Sequence, residues 1–98
     1  MSSGAIERLA LKVGEEFSVS LNENRTTGHA WRLETPGAIL ETVREERERS
    51  PRLMGAGGVV TFRFRAKAPG KGRLVALYER PWDREPVRRR MWDVVVEA

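Results

Sequence analysis

The sequence predicts an all-β fold: a sandwich of about seven to eight antiparallel strands in a single domain, residues 1–98. Three observations carry that prediction. Apolar and polar residues alternate with a period of two over most of the chain, which is the pattern of half-buried strands. Turn signals recur at short intervals: Gly14, Thr27-Gly28, Pro36-Gly37, Pro51, Gly55 to Gly58, Pro69-Gly70, Pro81 and Pro86. No segment shows a clear amphipathic helical repeat, and strands at this spacing without helices indicate an antiparallel sandwich or barrel. At 98 residues the chain holds one modest core.

The elements follow in order. Leu9, Leu11 and Val13 alternate with Ala10 and Lys12, and Gly14-Glu15-Glu16 turns the chain. Phe17, Val19 and Leu21 then alternate with Ser18 and Ser20. A polar turn, Asn24 to Gly28, leads into a strand that starts at His29 and carries Trp31. Residues 38–49, AILETVREERER, are the ambiguous stretch, because Glu41 shares a strand face with Ile39 and Val43. The β-branched Ile39, Thr42 and Val43 favour a strand running into a charged turn. Val60, Phe62, Phe64 and Ala66 alternate with Thr61, Arg63 and Arg65, the cleanest alternation in the chain. Ala68 to Gly72 reads as a turn, Arg73 to Glu79 as a strand, and Trp92, Val94 and Val96 mark the last strand. About seven strands in about a hundred residues fit an immunoglobulin-like sandwich, with Trp31 as its core tryptophan.

Composition narrows the function. There is no cysteine, so disulfides and thiolate metal ligands are excluded and packing alone stabilises the fold. The single histidine, His29, cannot make a two-histidine metal site, and beside Ala30 and Trp31 it reads as a surface or half-buried strand residue. Most acidic residues are interleaved with arginines, which favours ion pairing over a carboxylate pair with separated acid and base roles. Gly55-Ala56-Gly57-Gly58 lacks the Lys-Ser/Thr and the helix of a phosphate loop, and Asn24-Arg25-Thr26 matches a glycosylation sequon of low specificity. An enzyme is not expected, and neither is a metal or a cofactor. The first dozen residues carry no apolar run of signal-peptide length, and no segment approaches a membrane span. The expectation for the chain as written is a soluble cytoplasmic protein, or an exported one if a leader has been trimmed.

The net charge is +4, and arginine outnumbers lysine fifteen to three. The run Arg44 to Arg49 is nearly self-neutralising and reads as a solvated face. Arg84 with Arg88-Arg89-Arg90 is basic enough to attract phosphates or an acidic protein surface, or is an exposed loop running into a strand.

Three loops between strands have unusual content, and loops on a rigid scaffold tend to carry function. Asn24-Arg25-Thr26-Thr27-Gly28 offers small hydroxyls and a tight exit, or is an ordinary turn satisfied by its own side chains. Gly55-Ala56-Gly57-Gly58 permits positive φ and close approach of another backbone, or is simply a flexible turn. Arg80-Pro81-Trp82 sets a large ring in a polar loop, with Pro81 restricting the backbone. Either the ring is presented to a partner, as tryptophan and arginine are at interface hot spots, or it folds back to plug the sandwich rim.

Taken in that order, Asn-x-Thr-Thr-Gly with a tryptophan soon after, Gly-x-Gly-Gly, and Arg-Pro-Trp resemble the chagasin family, protein inhibitors of papain-like cysteine peptidases. The resemblance covers Asn24 to Trp82. It implies an immunoglobulin-like sandwich whose three loops gather at one end as a wedge closing the peptidase's active-site cleft. By position, Thr26 and Thr27 would lie against the catalytic cysteine, and Asn24 would brace the loop. Gly55 to Gly58 would follow the non-primed side through backbone contacts. Arg80, Pro81 and Trp82 would cover the primed side. The chain departs from the family pattern at Arg25, where proline is usual, and at His29, where an aromatic, commonly tyrosine, is usual. Losing the proline adds roughly 0.4–1 kcal/mol to the cost of ordering the loop. Two other classes compete with this reading. One is an immunoglobulin-like adhesion domain that binds through a sheet face. The other is a polyanion-binding β module using Arg84 to Arg90 and the Arg63/Arg65 face. Interleaved acidic residues and few exposed aromatics argue against nucleic acid.

Overall fold

Two β-sheets packed face to face build the molecule, seen in a computed structural model that describes residues 6–24, 28–49 and 58–98. The strands are β1 (Ile6–Lys12), β2 (Glu16–Glu23), β3 (Ala30–Glu34), β4 (Leu40–Arg49), β5 (Gly58–Ala66), β6 (Gly70–Glu79) and β7 (Arg88–Glu97). One sheet has the order β1-β7-β6-β3 and the other β2-β5-β4. All pairs are antiparallel except β1 with β7, which run parallel from Ile6 opposite Met91 to Lys12 opposite Glu97. That parallel pair joins the first strand to the last and is a departure from the purely antiparallel expectation.

The alternation read from the sequence is the alternation of burial. Val19 and Leu21 of β2, Val60, Phe62, Phe64 and Ala66 of β5, and Leu40 of β4 turn inward from one sheet. Leu11, Trp31, Leu74, Ala76, Trp92, Val94 and Val96 meet them from the other. Phe17 stacks on Phe64 with ring centroids 5.1 Å apart. Burying each large side chain stabilises the fold by roughly 1.5–3 kcal/mol, and with no cysteine this core is the main stabilising term.

Two boundaries differ from the sequence reading. The charged run 44–49 is not a turn; it continues β4 as a strand. A register shift between Thr42 and Arg44 leaves Val43 at a bulge, 42% exposed, instead of on a common face with Ile39. Beyond the bulge the charges sort by face. Arg44 pairs with Glu46 at 3.4 Å, and Arg47 pairs with Glu45, each two residues apart on one side of the strand. A β4 edge of this kind, charged on both faces, resists pairing with other chains. The second difference is that β6 begins at Gly70 rather than Arg73. Gly72 then runs close under the β3–β4 turn, where an added Cβ would lie 2.6 Å from Cβ of Pro36.

Register also decides where the loops emerge. Glu23 and Arg49 both lie opposite Gly58, so β2, β4 and β5 reach one end of their sheet together. Ala30 lies opposite Glu79, and Tyr78 opposite Arg88, at the matching end of the other sheet. The strand ends that flank residues 24–29, 50–57 and 80–87 therefore all lie at one end of the sandwich. The opposite end is closed by backbone hydrogen bonds, among them Gly14 N–H to the Ala66 carbonyl at 2.8 Å and Lys67 N–H to the Ile39 carbonyl at 2.8 Å.

Candidate functional site

The end of the sandwich where these strand ends meet is held by two residues. Glu23, the last residue of β2, continues the inward series Val19 and Leu21 and is 5% exposed. Its carboxylate accepts the Trp31 backbone N–H at 3.0 Å and the Arg47 Nε–H at 2.9 Å. One buried acid thus joins the ends of β2, β3 and β4. Tyr78, on β6, is the second. Its hydroxyl accepts the Asn24 backbone N–H at 2.9 Å, and its ring packs against Trp31 at 4.9 Å and His29 at 5.1 Å. Trp31 is 7% exposed and donates its indole N–H to the Asn22 carbonyl at 2.8 Å. It anchors the exit of the first loop in the core, as the sequence suggested. His29 keeps an aromatic ring stacked on Tyr78, the packing role that an aromatic at this position would fill.

The segment 80–87 is built around a clamp. The Arg80 side chain and backbone N–H both donate to the Asp83 carboxylate, at distances from 2.9 to 3.1 Å. The Asp83 N–H donates to the Arg80 carbonyl at 3.0 Å, closing a tight turn around Pro81 and Trp82. Above it the Arg80 guanidinium lies 5.4 Å from the Trp82 ring centre. Trp82 is 68% exposed, so the ring is presented to solvent and does not plug the rim. Its edge does meet the first loop. Gly28 has φ +85°, and a Cβ added there would stand 3.0 Å from Cη2 of Trp82. A glycine is therefore needed twice over, for the left-handed backbone and for the passing ring.

Electrostatics fix the clamp as well as geometry. Hydrogen bonding from the Arg80 side chain holds the Asp83 carboxyl below the ordinary aspartate value of 3.8, assisted by the Arg80 backbone N–H and the charges of Arg80 and His29, and opposed by desolvation. His29 Nε2 stands 4.0 Å from Asp83. Because the folded value is depressed, the clamp's contribution is complete above the ordinary aspartate value and is lost only as pH falls through the folded one. In the free protein the Arg80 Nε–H resonance should stay protected at every pH above the ordinary aspartate value and lose protection only below it. In Asp83→Asn the protection should be reduced at every pH. A transition centred well above the ordinary aspartate range in the wild type would refute the assignment.

Of the residues singled out in the sequence, Asn24, Gly28, Gly58, Arg80, Pro81 and Trp82 are brought to this one end. Arg25, Thr26, Thr27, Gly55, Ala56 and Gly57 lie outside the described residues. Glu23, Tyr78 and Asp83 were missed. Glu23 had a signal, since it falls in phase with Phe17, Val19 and Leu21. The polyanion reading loses part of its basis, because Arg63 pairs with Glu16 at 3.7 Å and Arg65 pairs with Glu41. Among the described residues no group of His, Asp and Glu is arranged to hold a metal, and no helix is long and apolar enough to cross a membrane.

The chain matches the family described as "Chagasin family peptidase inhibitor I42" over residues 10–96. It is 37% identical over 81 residues to chagasin from Trypanosoma cruzi, covering 76% of this chain and 73% of that protein. It is 28% identical over 75 residues to amoebiasin-1 from Entamoeba histolytica, covering 76% and 74% respectively. The crystal structure of a cysteine protease inhibitor from Entamoeba histolytica superposes with a TM-score of 0.82 at 21% identity, over 94% of this chain and 86% of that one.

Proposed function

Because the chain belongs to the chagasin family of peptidase inhibitors, we propose that it blocks the active-site cleft of papain-like cysteine peptidases, reversibly and competitively, with the three loops at one end of its sandwich. It is an inhibitor and not an enzyme. The observation that supports the wedge is the shared register: the ends of β2, β4 and β5 that flank residues 24–29 and 50–57 lie together, and the ends of β3, β6 and β7 that flank residues 24–29 and 80–87 lie with them. In this reading Asn24, Arg25, Thr26, Thr27 and Gly28 form the central loop. Threonines and a glycine keep it slim enough for a narrow cleft, and it blocks without offering a well-placed scissile carbonyl. Gly55, Ala56, Gly57 and Gly58 run along one side of the cleft through backbone contacts, where side chains would hold the two surfaces apart. Arg80, Pro81 and Trp82 cover the other side, with the exposed indole as the anchor.

The scale suits a stable complex. Three loops cover on the order of 800 Å² on each partner, the size of a standard protease–inhibitor interface. The rigid base under the rim, built on Glu23 and Tyr78, limits the ordering cost that binding would otherwise incur. The test is a titration of the protein into active-site-calibrated papain, with the Thr26→Ala/Trp82→Ala double variant alongside. Tight competitive inhibition that is lost in the variant is the expected result. Inhibition of equal strength in both would sink the three-loop reading.

A further inference from the structure

The arginines are not distributed evenly between paired and unpaired states. Arg32, Arg44, Arg47, Arg63, Arg65, Arg73, Arg80 and Arg90 each hold a carboxylate within 4.0 Å. Arg84, Arg88 and Arg89 have no ion-pair partner among the described residues, and all three are exposed. They lie in one stretch, immediately after the Trp82 turn and at the start of β7, where Arg88 is opposite Tyr78. The acids at this end are mostly committed elsewhere: Glu23 to Arg47 and Trp31, Asp83 to Arg80, Glu79 to Arg32. Glu85 is the acid in the run itself. Arg88 and Arg89, with Arg90, also line an open groove of about 730 Å³ beside the rim, so the charge stands over a concave surface.

Among the described residues the other exposed arginines are neutralised one by one, except Arg8, which stands singly on β1, so three unneutralised arginines grouped next to the binding rim make a local field with a direction. We propose that Arg84, Arg88 and Arg89 form an electrostatic docking surface that steers the inhibitor onto cysteine peptidases carrying acidic residues along the edge of the cleft beside the Trp82 loop. The proposal rests on the inhibitory reading above and adds a selectivity to it. Because the three side chains are exposed, their work is done over distance. They raise the rate of encounter and the preference for acidic targets, and contribute little once the loops are seated. Steering of this kind changes association rates by 10-fold or more and is screened by salt on the ~10 Å scale of the Debye length at 0.1 M.

The experiment is stopped-flow association with an active-site-titrated papain-like peptidase of low isoelectric point, from about 20 to about 300 mM salt. The wild type is compared with the Arg84→Glu/Arg88→Glu/Arg89→Glu variant, and with the milder triple glutamine variant should the charge reversal disturb the fold. The proposal expects a wild-type association rate that falls steeply with salt. At low salt the charge-reversed variant should be about 10- to 100-fold slower with a flat or inverted salt slope, its dissociation rate changed by less than about 3-fold. Equal association rates and equal salt slopes, with inhibition intact in both, would overturn the docking surface and leave the inhibitory reading standing. Absence of inhibition by the wild type would overturn both. Heparin binding lost in the variant while peptidase association is unchanged would reassign the cluster to polyanions.

Discussion

Replacing Trp82 by alanine should weaken inhibition by about 2–4 kcal/mol, roughly a 30- to 700-fold rise in the inhibition constant, while the melting temperature moves by less than about 3 °C. The two halves of this expectation come from one observation. The indole is 68% exposed, so the free protein gains little from its burial, and all of that apolar surface remains to be buried against a partner. Its orientation is prepared in advance: Pro81 restricts the backbone, the Arg80–Asp83 clamp closes the turn, and Gly28 leaves room for the ring edge. A rigid aromatic group loses little conformational freedom on binding, which is why such side chains dominate interface energetics. The loss should appear mainly as faster dissociation. A sharp drop in melting temperature with unchanged inhibition would mean that the ring serves the fold and not the partner.

The largest loss of stability among the rim residues is expected at Glu23. Glu23→Ala removes a buried carboxylate that accepts from the Trp31 N–H and from Arg47. The stranded N–H alone costs about 1–3 kcal/mol. Arg47 is 35% exposed, so water compensates part of its loss, and the ion-pair contribution is discounted accordingly. The total is about 2–4 kcal/mol, or a melting temperature lowered by roughly 10–25 °C in a domain of this size. Glu23→Gln keeps an acceptor for the Trp31 N–H and should cost about half as much. Thermal unfolding followed by near-ultraviolet circular dichroism reads both variants. A shift of under about 3 °C for Glu23→Ala would show that the acid does not bind the three strand ends together.

The fold was readable where burial follows a period of two, because side chains on a strand have no other way to alternate. Val60 to Ala66 and Trp92 to Val96 gave their faces away in this manner. The exposure of Trp82 was readable because a large ring in a polar loop suits no core position. Two features escaped because they depend on partners distant in sequence. The charged run of β4 looks like a turn until it is known to lie in register with β5, Glu45 opposite Phe62 and Arg47 opposite Val60, with Arg47 reaching the buried Glu23. The parallel β1–β7 pair is set by how the two sheets are stacked, and no local pattern in either strand records a neighbour's direction. Tyr78 was hidden for the same reason, since its three contacts come from residues 24, 29 and 31.

The parallel pairing of first and last strands bears on how the protein can be made. β7 lies between β1 and β6, so the four-stranded sheet cannot close while residues 88–97 are still in the ribosome. Until then β1 has no strand to pair with in its sheet, and Leu74 of β6 lacks its cross-strand neighbour Trp92. The domain therefore completes its fold only once β7 is available, through contacts between strands distant in sequence, which is the slow regime for a small β protein. The binding rim inherits this order of events, because the segment bearing Trp82 is tethered at its far end to the last strand to arrive.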